Sequence, residues 1–210
     1  MAGACRQGWG VMRFVFVLMA VLALSQCVSA REDRPGRATV IVGLAEAPDN
    51  VAPRYTMLWR RVDEANGAFE PHGGRRMVEF TTHSGGTVRV AGAPGEFKVA
   101  EVEPGRYALD GVFAVLSEGA VTYTAQGSII GPERPSFEAR AGEVIYLGLW
   151  QASLDGHLAV VRPWRIDQAD ARAVAQAAGI EGAVAIRLTE TAAVPCTPRR
   201  MHPSLTREIC

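Results

Sequence analysis

Phe97-Lys98-Val99-Ala100-Glu101-Val102-Glu103-Pro104-Gly105-Arg106-Tyr107-Ala108-Leu109 is the stretch whose reading decides the fold. Phe97 to Val102 reads as a strand and stops at Glu103-Pro104-Gly105-Arg106. Proline presets φ at position i+1 and glycine tolerates positive φ at i+2, so this tetrapeptide predicts a type II turn. Beyond the turn, Tyr107, Leu109, Phe113 and Val115 share one parity, and Ala108, Asp110 and Ala114 take the other. A period of two over that length marks a strand with one face in a core.

The same alternation continues outward. Val121, Tyr123 and Ala125 alternate with Thr122, Thr124 and Gln126, and Ser117-Glu118-Gly119 before them predicts a hairpin. Upstream, Thr39 to Leu44 is a β-branched run, and Tyr55, Met57 and Trp59 fall on one strand face. Arg76 to Thr82 and Thr87 to Val90 read as two further strands. Downstream, Gly131 to Pro135 reads as a loop and Ser136 to Ala139 as a short strand. Val144 to Leu149 is apolar on both parities, which predicts a central strand covered on both faces. Asp155-Gly156-His157 reads as a hairpin turn before the strand Leu158 to Val161.

One helix is expected at about 167–178. Asp167 is its cap, Asp170 suits the dipole at N3, and Gly179 is a natural C′ stop. Ala171, Val174, Ala175 and Ala178 line one face at helical spacing. A last strand, Ala183 to Leu188, precedes the tail. Strands this short, with turn signals about every ten residues, predict a mainly β chain built as an antiparallel sandwich with one short C-terminal helix.

Two motifs sharpen that class. A strand leads into Pro104-Gly105-Arg106-Tyr107, and some thirty residues on stands Phe137-Glu138-Ala139-Arg140-Ala141-Gly142-Glu143-Val144-Ile145-Tyr146-Leu147-Gly148. Together they resemble the prealbumin-like, broadly immunoglobulin-like, β-sandwich of many bacterial envelope lipoproteins. The resemblance implies that the two strands neighbour each other in the sandwich. It spans about Phe97 to Leu149 and carries over no functional residue.

The N-terminus is read as a targeting segment, residues 1–30. Arg6 and Arg13 are its only charges, and the apolar run Phe14 to Leu24 is shorter than the ~20 residues a bilayer span needs. Met12 is an equally well-formed start. Leu24-Ser25-Gln26-Cys27-Val28-Ser29-Ala30-Arg31 then offers two cuts. One follows Ala30, after small residues, and releases a soluble periplasmic protein. The other precedes Cys27 in a lipobox-like sequence that departs from the pattern at Gln26; it leaves a membrane anchor through an acylated Cys27. We favour the second, with Val28 pointing to the outer membrane by resemblance to other lipoproteins. Residues 31–38 are read as a linker, 39–190 as the sandwich domain, and 191–210 as a tail. With Cys5 and Cys27 in the leader, Cys196 and Cys210 remain as a pair, read as a disulfide pinning that tail.

Charge narrows the partners. The chain has 22 basic and 22 acidic residues; without Arg6 and Arg13 it has 20 against 22, no footprint for nucleic acid. Chemistry is sparse. No two of His72, His83, His157 and His202 stand at a metal-ligand spacing; His72, Glu79 and His83 are the candidate ligand set if neighbouring strands bring them together. His83-Ser84 and Gly127-Ser128 lack the G-x-S-x-G elbow, and no phosphate-binding GxxxxGK loop is present. Trp59, Trp150 and Trp164 are candidates for stacking on sugars if exposed and for the core if buried. No catalytic residue and no cofactor is assigned. The expected function is a non-enzymatic envelope binding or structural module with an envelope protein as partner. The alternatives are a periplasmic metal-binding protein or hydrolase on His72, Glu79 and His83, and a sugar or peptidoglycan binder on exposed tryptophans.

Overall fold

A computed structural model describes residues 36–48, 53–118, 121–127, 132–202 and 207–210. The targeting segment, Cys27 and the linker as far as Pro35 lie outside the described residues, as do Gly119, Ser128 and Gly131.

The chain is mainly β. It begins with β1 (Ala38–Glu46), β2 (Arg54–Arg61), β3 (Met77–Thr81), β4 (Thr87–Val88) and β5 (Glu96–Val102). Then come the long β6 (Gly105–Glu118), β7 (Val121–Gln126), β8 (Glu133–Ala139), β9 (Val144–Asp155) and β10 (Leu158–Arg165). Helix α1 (Gln168–Ala177) is followed by β11 (Ala185–Ile186), β12 (Glu190–Ala193), β13 (Arg199–Arg200) and β14 (Glu208–Ile209). Sheet I has the order β10-β9-β1-β5-β4, with β11 also on β9; sheet II has the order β12-β8-β6-β2-β3, with β7 also on β6. Most pairings are antiparallel. β1 and β11 run parallel to β9, a departure from the all-antiparallel expectation.

The deciding stretch works as a corner. β5 belongs to sheet I and β6 to sheet II, so Pro104-Gly105 carries the chain from one sheet to the other. Gly105 has φ +140, a backbone conformation that favours glycine, and a Cβ there would also crowd the Arg61 side chain, with Nε at 2.6 Å. Tyr107 then turns back and donates to Glu103 O at 2.8 Å and to Arg75 O at 3.2 Å, the geometry of a tyrosine corner. Its ring stacks on Phe137 of β8 at 5.4 Å, so both motifs meet in one place.

The inner faces of the two sheets share one core. Val40, Val42 and Leu44 of β1 and Ile145 and Leu147 of β9 meet Tyr55, Met57 and Trp59 of β2 and Tyr107, Leu109 and Val112 of β6. The single-face alternation expected from Tyr107 to Val115 does not hold: a bulge at Asp110 opposite Leu58 and Trp59 turns Val112 and Ala114 into the core and Phe113 to the outer face. Trp59 and Trp150 cross edge-to-face with centroids 5.4 Å apart. β9 is central, as its double-parity pattern predicts. Tyr146 and Leu149 point away from the shared core toward Ala171, Val174 and Ala175 of α1. The helix forms where expected: the Asp167 side chain accepts from Ala169 N, and Gly179 follows with φ +66.

Three differences matter. Glu133 to Pro135 is strand rather than loop, pairing with β12 alone. With β6 engaging only Ser136 onward, Pro135 leaves no second ladder short of a donor. Sheet II continues to Ala193, past the expected domain end at residue 190. The tail is not a bare appendage: β13 and β14 pair, and Ile209 is buried with Leu58 and Phe113 on the outer face of sheet II. Among the described residues no helix is long and apolar enough to cross a membrane.

Candidate functional site

The loop from β3 to β4 passes from sheet II to sheet I and carries His83. Thr82 fixes its start: its N–H donates to Tyr55 O at 2.8 Å, and its Oγ1 accepts from Tyr55 N at 3.0 Å. His83 follows at φ +54, alone among the described non-glycine residues in being left-handed. A residue held there stores strain, which marks functional or tightly constrained positions. Its N–H donates to Glu96 Oε2 at 3.2 Å. Its ring lies between two carboxylates, with Nε2 3.0 Å from Glu46 Oε1 and Nδ1 3.7 Å from Glu96 Oε1.

Glu96 is nearly buried and ion-paired with Arg89. Burial alone would raise its pKa; hydrogen bonds from Arg89, Thr87 and the His83 N–H outweigh this and hold it below the usual carboxylate range. The two carboxylates flank opposite ring nitrogens, so they orient the imidazole rather than converge with it on one ion. The neighbouring Ser84 hydroxyl donates to Thr81 O, and so is turned toward its own loop. The arrangement clamps a loop between β1 and β5.

The other histidine candidates stand elsewhere. Glu79 sits on β3 opposite Leu58 of β2. His72 is exposed in the preceding loop, where its field favours the charged form of Asp110. Among the described residues no group of three or more His, Cys, Asp and Glu is placed to hold a metal ion, so His72, Glu79 and His83 are not brought together. Trp59 and Trp150 are core residues; Trp164 is 47% exposed, and a stacking role retains that ring only.

Sequence reasoning missed the most charged feature of the interior. Arg60 of β2 and Asp110 of β6 are both fully buried, with Arg60 Nη1 3.2 Å from Asp110 Oδ2. Arg134 of β8 joins them, its Nη1 donating to Leu109 O at 3.2 Å and to Asp110 O at 3.0 Å. The Phe69 ring covers both guanidiniums, 4.9 Å from Arg60 Cζ and 5.5 Å from Arg134 Cζ. Burial pulls Arg60 below its ordinary pKa, partly offset by Asp110; burial likewise raises Asp110, partly offset by Arg60 and the Cys210 N–H. The signal for this cluster was Asp110 itself, a carboxylate within an apolar strand.

The tail closes over it. Cys196 and Cys210 form the expected disulfide. Cys210 N donates to Asp110 Oδ1 at 2.9 Å, and Arg134 Nη2 lies 3.1 Å from Cys210 Sγ. The Arg60 nitrogens and Asp110 Oδ2 are sealed from solvent, so this cluster offers no approach to a substrate. Its evident work is to seat the disulfide.

No protein-family model matches the chain, and neither a curated protein nor a solved structure matches it.

Proposed function

We propose that this is an exported bacterial envelope protein with a prealbumin-like β-sandwich, acting by binding or scaffolding rather than by catalysis. The observation that carries the reading is the disulfide. Cys210 is bonded to buried Asp110 and Arg134 as well as to Cys196, so the oxidised pair is part of the fold. Such a pair suits an oxidising compartment, in agreement with the secretory pattern of residues 1–30.

Two sheets around one core, joined at the Tyr107 corner, support the prealbumin-like form. Binding is preferred over catalysis because the polar clusters either clamp a loop, as around His83, or are sealed, as around Asp110. Acylation at Cys27 gives the preferred location, the periplasmic face of the outer membrane; release after Ala30 gives a soluble periplasmic form.

Intact mass of the protein recovered from cells tests this reading. An acylated Cys27 N-terminus, two hydrogens lost to the disulfide and recovery in the envelope fraction are the expected results. A full-length chain with both cysteines reduced, found in the cytoplasm, would overturn it.

A further inference from the structure

The first described residues lie against the β8–β9 turn: Gly142 N donates to Arg37 O at 2.6 Å, and Thr39 N to Glu143 O at 2.8 Å. Glu143 also takes Arg187, which follows β11. The chain therefore enters the fold beside β11 and the segment leading to β12. Here the structure has a groove of about 310 Å³. Arg106, Arg187, Glu138, Glu190, Phe137 and Leu188 are among its walls.

The lining has a definite chemistry. Phe137 keeps its ring in the shared core, stacked on Tyr107, while Leu188 is 67% exposed. Ile186, two residues before it, is exposed as well. Two guanidiniums and two carboxylates balance, so the groove suits a ligand carrying both signs rather than a simple anion. Among the described residues, Arg187 engages Glu143 through Nη2, and its guanidinium carries five N–H donors. Guanidinium forks match phosphate oxygens, and carboxylates accept N–H bonds from a primary ammonium. The volume is at the small end for a ligand pocket, suited to a headgroup rather than a whole lipid.

Location selects the source. Ten residues, Val28 to Arg37, separate Cys27 from the fold and reach at most about 35 Å when extended. A chain anchored at Cys27 keeps this pole within that distance of the bilayer, and exposed aliphatic side chains beside a charged groove suit a lipid interface. We propose that the groove binds the headgroup of an amine-bearing zwitterionic phospholipid. Arg106 and Arg187 take the phosphate, Glu138 and Glu190 the ammonium, and Ile186 and Leu188 enter the interface. The inference rests on the envelope-anchored reading above and adds a ligand to it.

The test uses the mature exported chain carrying Cys27→Ser, so that no acyl group contributes. Flotation is compared on phosphatidylethanolamine/phosphatidylglycerol and phosphatidylcholine/phosphatidylglycerol vesicles of equal phosphatidylglycerol content. Binding is expected to be about tenfold tighter with the primary amine, because a quaternary ammonium has no N–H to donate. Arg106→Gln and Glu190→Gln, both at exposed positions, are each expected to abolish that preference with an unchanged melting curve. Val121→Ser, beyond the other end of β6, is expected to leave it intact.

Equal binding to both vesicles, or a preference indifferent to Arg106 and Glu190, would overturn the proposal. So would capture of soluble phosphoethanolamine without vesicle binding, which would make the ligand a free zwitterion. The two readings fail separately: a mass without acyl groups sinks the lipid anchor, whereas loss of amine preference sinks the groove.

Discussion

Each sheet has an outer face, and the two are covered in contrasting ways. Over sheet I lies α1, which buries Ala171, Val174 and Ala175 against Ile41, Tyr146 and Leu149. Over sheet II lies the tail, which buries Ile209 against Leu58 and Phe113. The helix carries its own apolar face, its own cap at Asp167 and its own stop at Gly179. The tail has two-residue strands and depends on ties to distant residues: the disulfide, Asp110, and Gln126, whose Nε2 donates to Glu208 O at 2.7 Å. A cover with internal periodicity needs only a surface to land on. One without it needs a covalent link, because too little apolar area is buried to offset the chain entropy of ordering it.

Removing the disulfide breaks the contrast most directly. The double variant Cys196→Ser/Cys210→Ser is expected to lose about 3 kcal/mol in chemical denaturation, from the chain entropy of a loop of about fifteen residues. Hydrogen exchange should quicken around Leu58 and Phe113 while α1 keeps its protection. Uniform loss of protection across both faces would show that the covers are not independent. On the other side, Val174→Ala removes a fully buried side chain of α1 and is expected to cost about 2 kcal/mol. An equal loss in the disulfide-free background would confirm additivity between sites that share no partners.

The β3–β4 loop joins the two sheets, and Glu96 gives it a pH signature. Its folded-state pKa is lowered, so its contribution is present above the unfolded carboxylate value and lost as pH falls through the folded one. Glu96→Gln should be less stable than wild type by about 1.5 kcal/mol near neutrality, and the gap should close as pH falls below about 4. A gap that is constant with pH would show that shape rather than charge holds His83. The smallest effect is expected for Asp167→Ala, about 1 kcal/mol from the lost N-cap. Circular dichroism should show the first turn of α1 fraying with the sheets intact.

The elements that could be read in advance share a physical property. The double-parity run of β9, the Asp155–Leu158 hairpin and the Asp167–Gly179 helix are each written within one local period or one turn; the Tyr107–Val115 alternation is not, because a bulge at Asp110 opposite Leu58 and Trp59 flips its parity. The misread segments depend on partners far along the chain. Glu133 to Pro135 carries proline and looks like a loop; it is a strand because β12, more than fifty residues on, supplies a ladder on the side where proline needs no donor. The sealing of Arg60 and Arg134 around Asp110 is equally long-range. Arg134 reaches the Asp110 carbonyl 24 residues away, and Cys210 reaches the Asp110 carboxylate across 100.

For the site the division is similar. His83 was legible only as a candidate metal ligand; its two carboxylate neighbours arrive from β1 and β5 through sheet pairing. The exposed groove at β12 had no local signal, since Arg106, Glu138, Arg187 and Glu190 lie on four separate segments.

By itself, the sequence determined that the chain is mainly β, where its helix starts and stops, which strand is central, and that Cys196 pairs with Cys210. These follow from side-chain periodicity, capping chemistry and cysteine number, all properties of neighbouring residues. Only the tertiary structure decided that the Pro-Gly turn is a corner between sheets, that the tail is a cover, and which charges are buried. Those outcomes depend on which strands pair, and pairing is a contest among distant segments for the same hydrogen bonds and the same apolar faces.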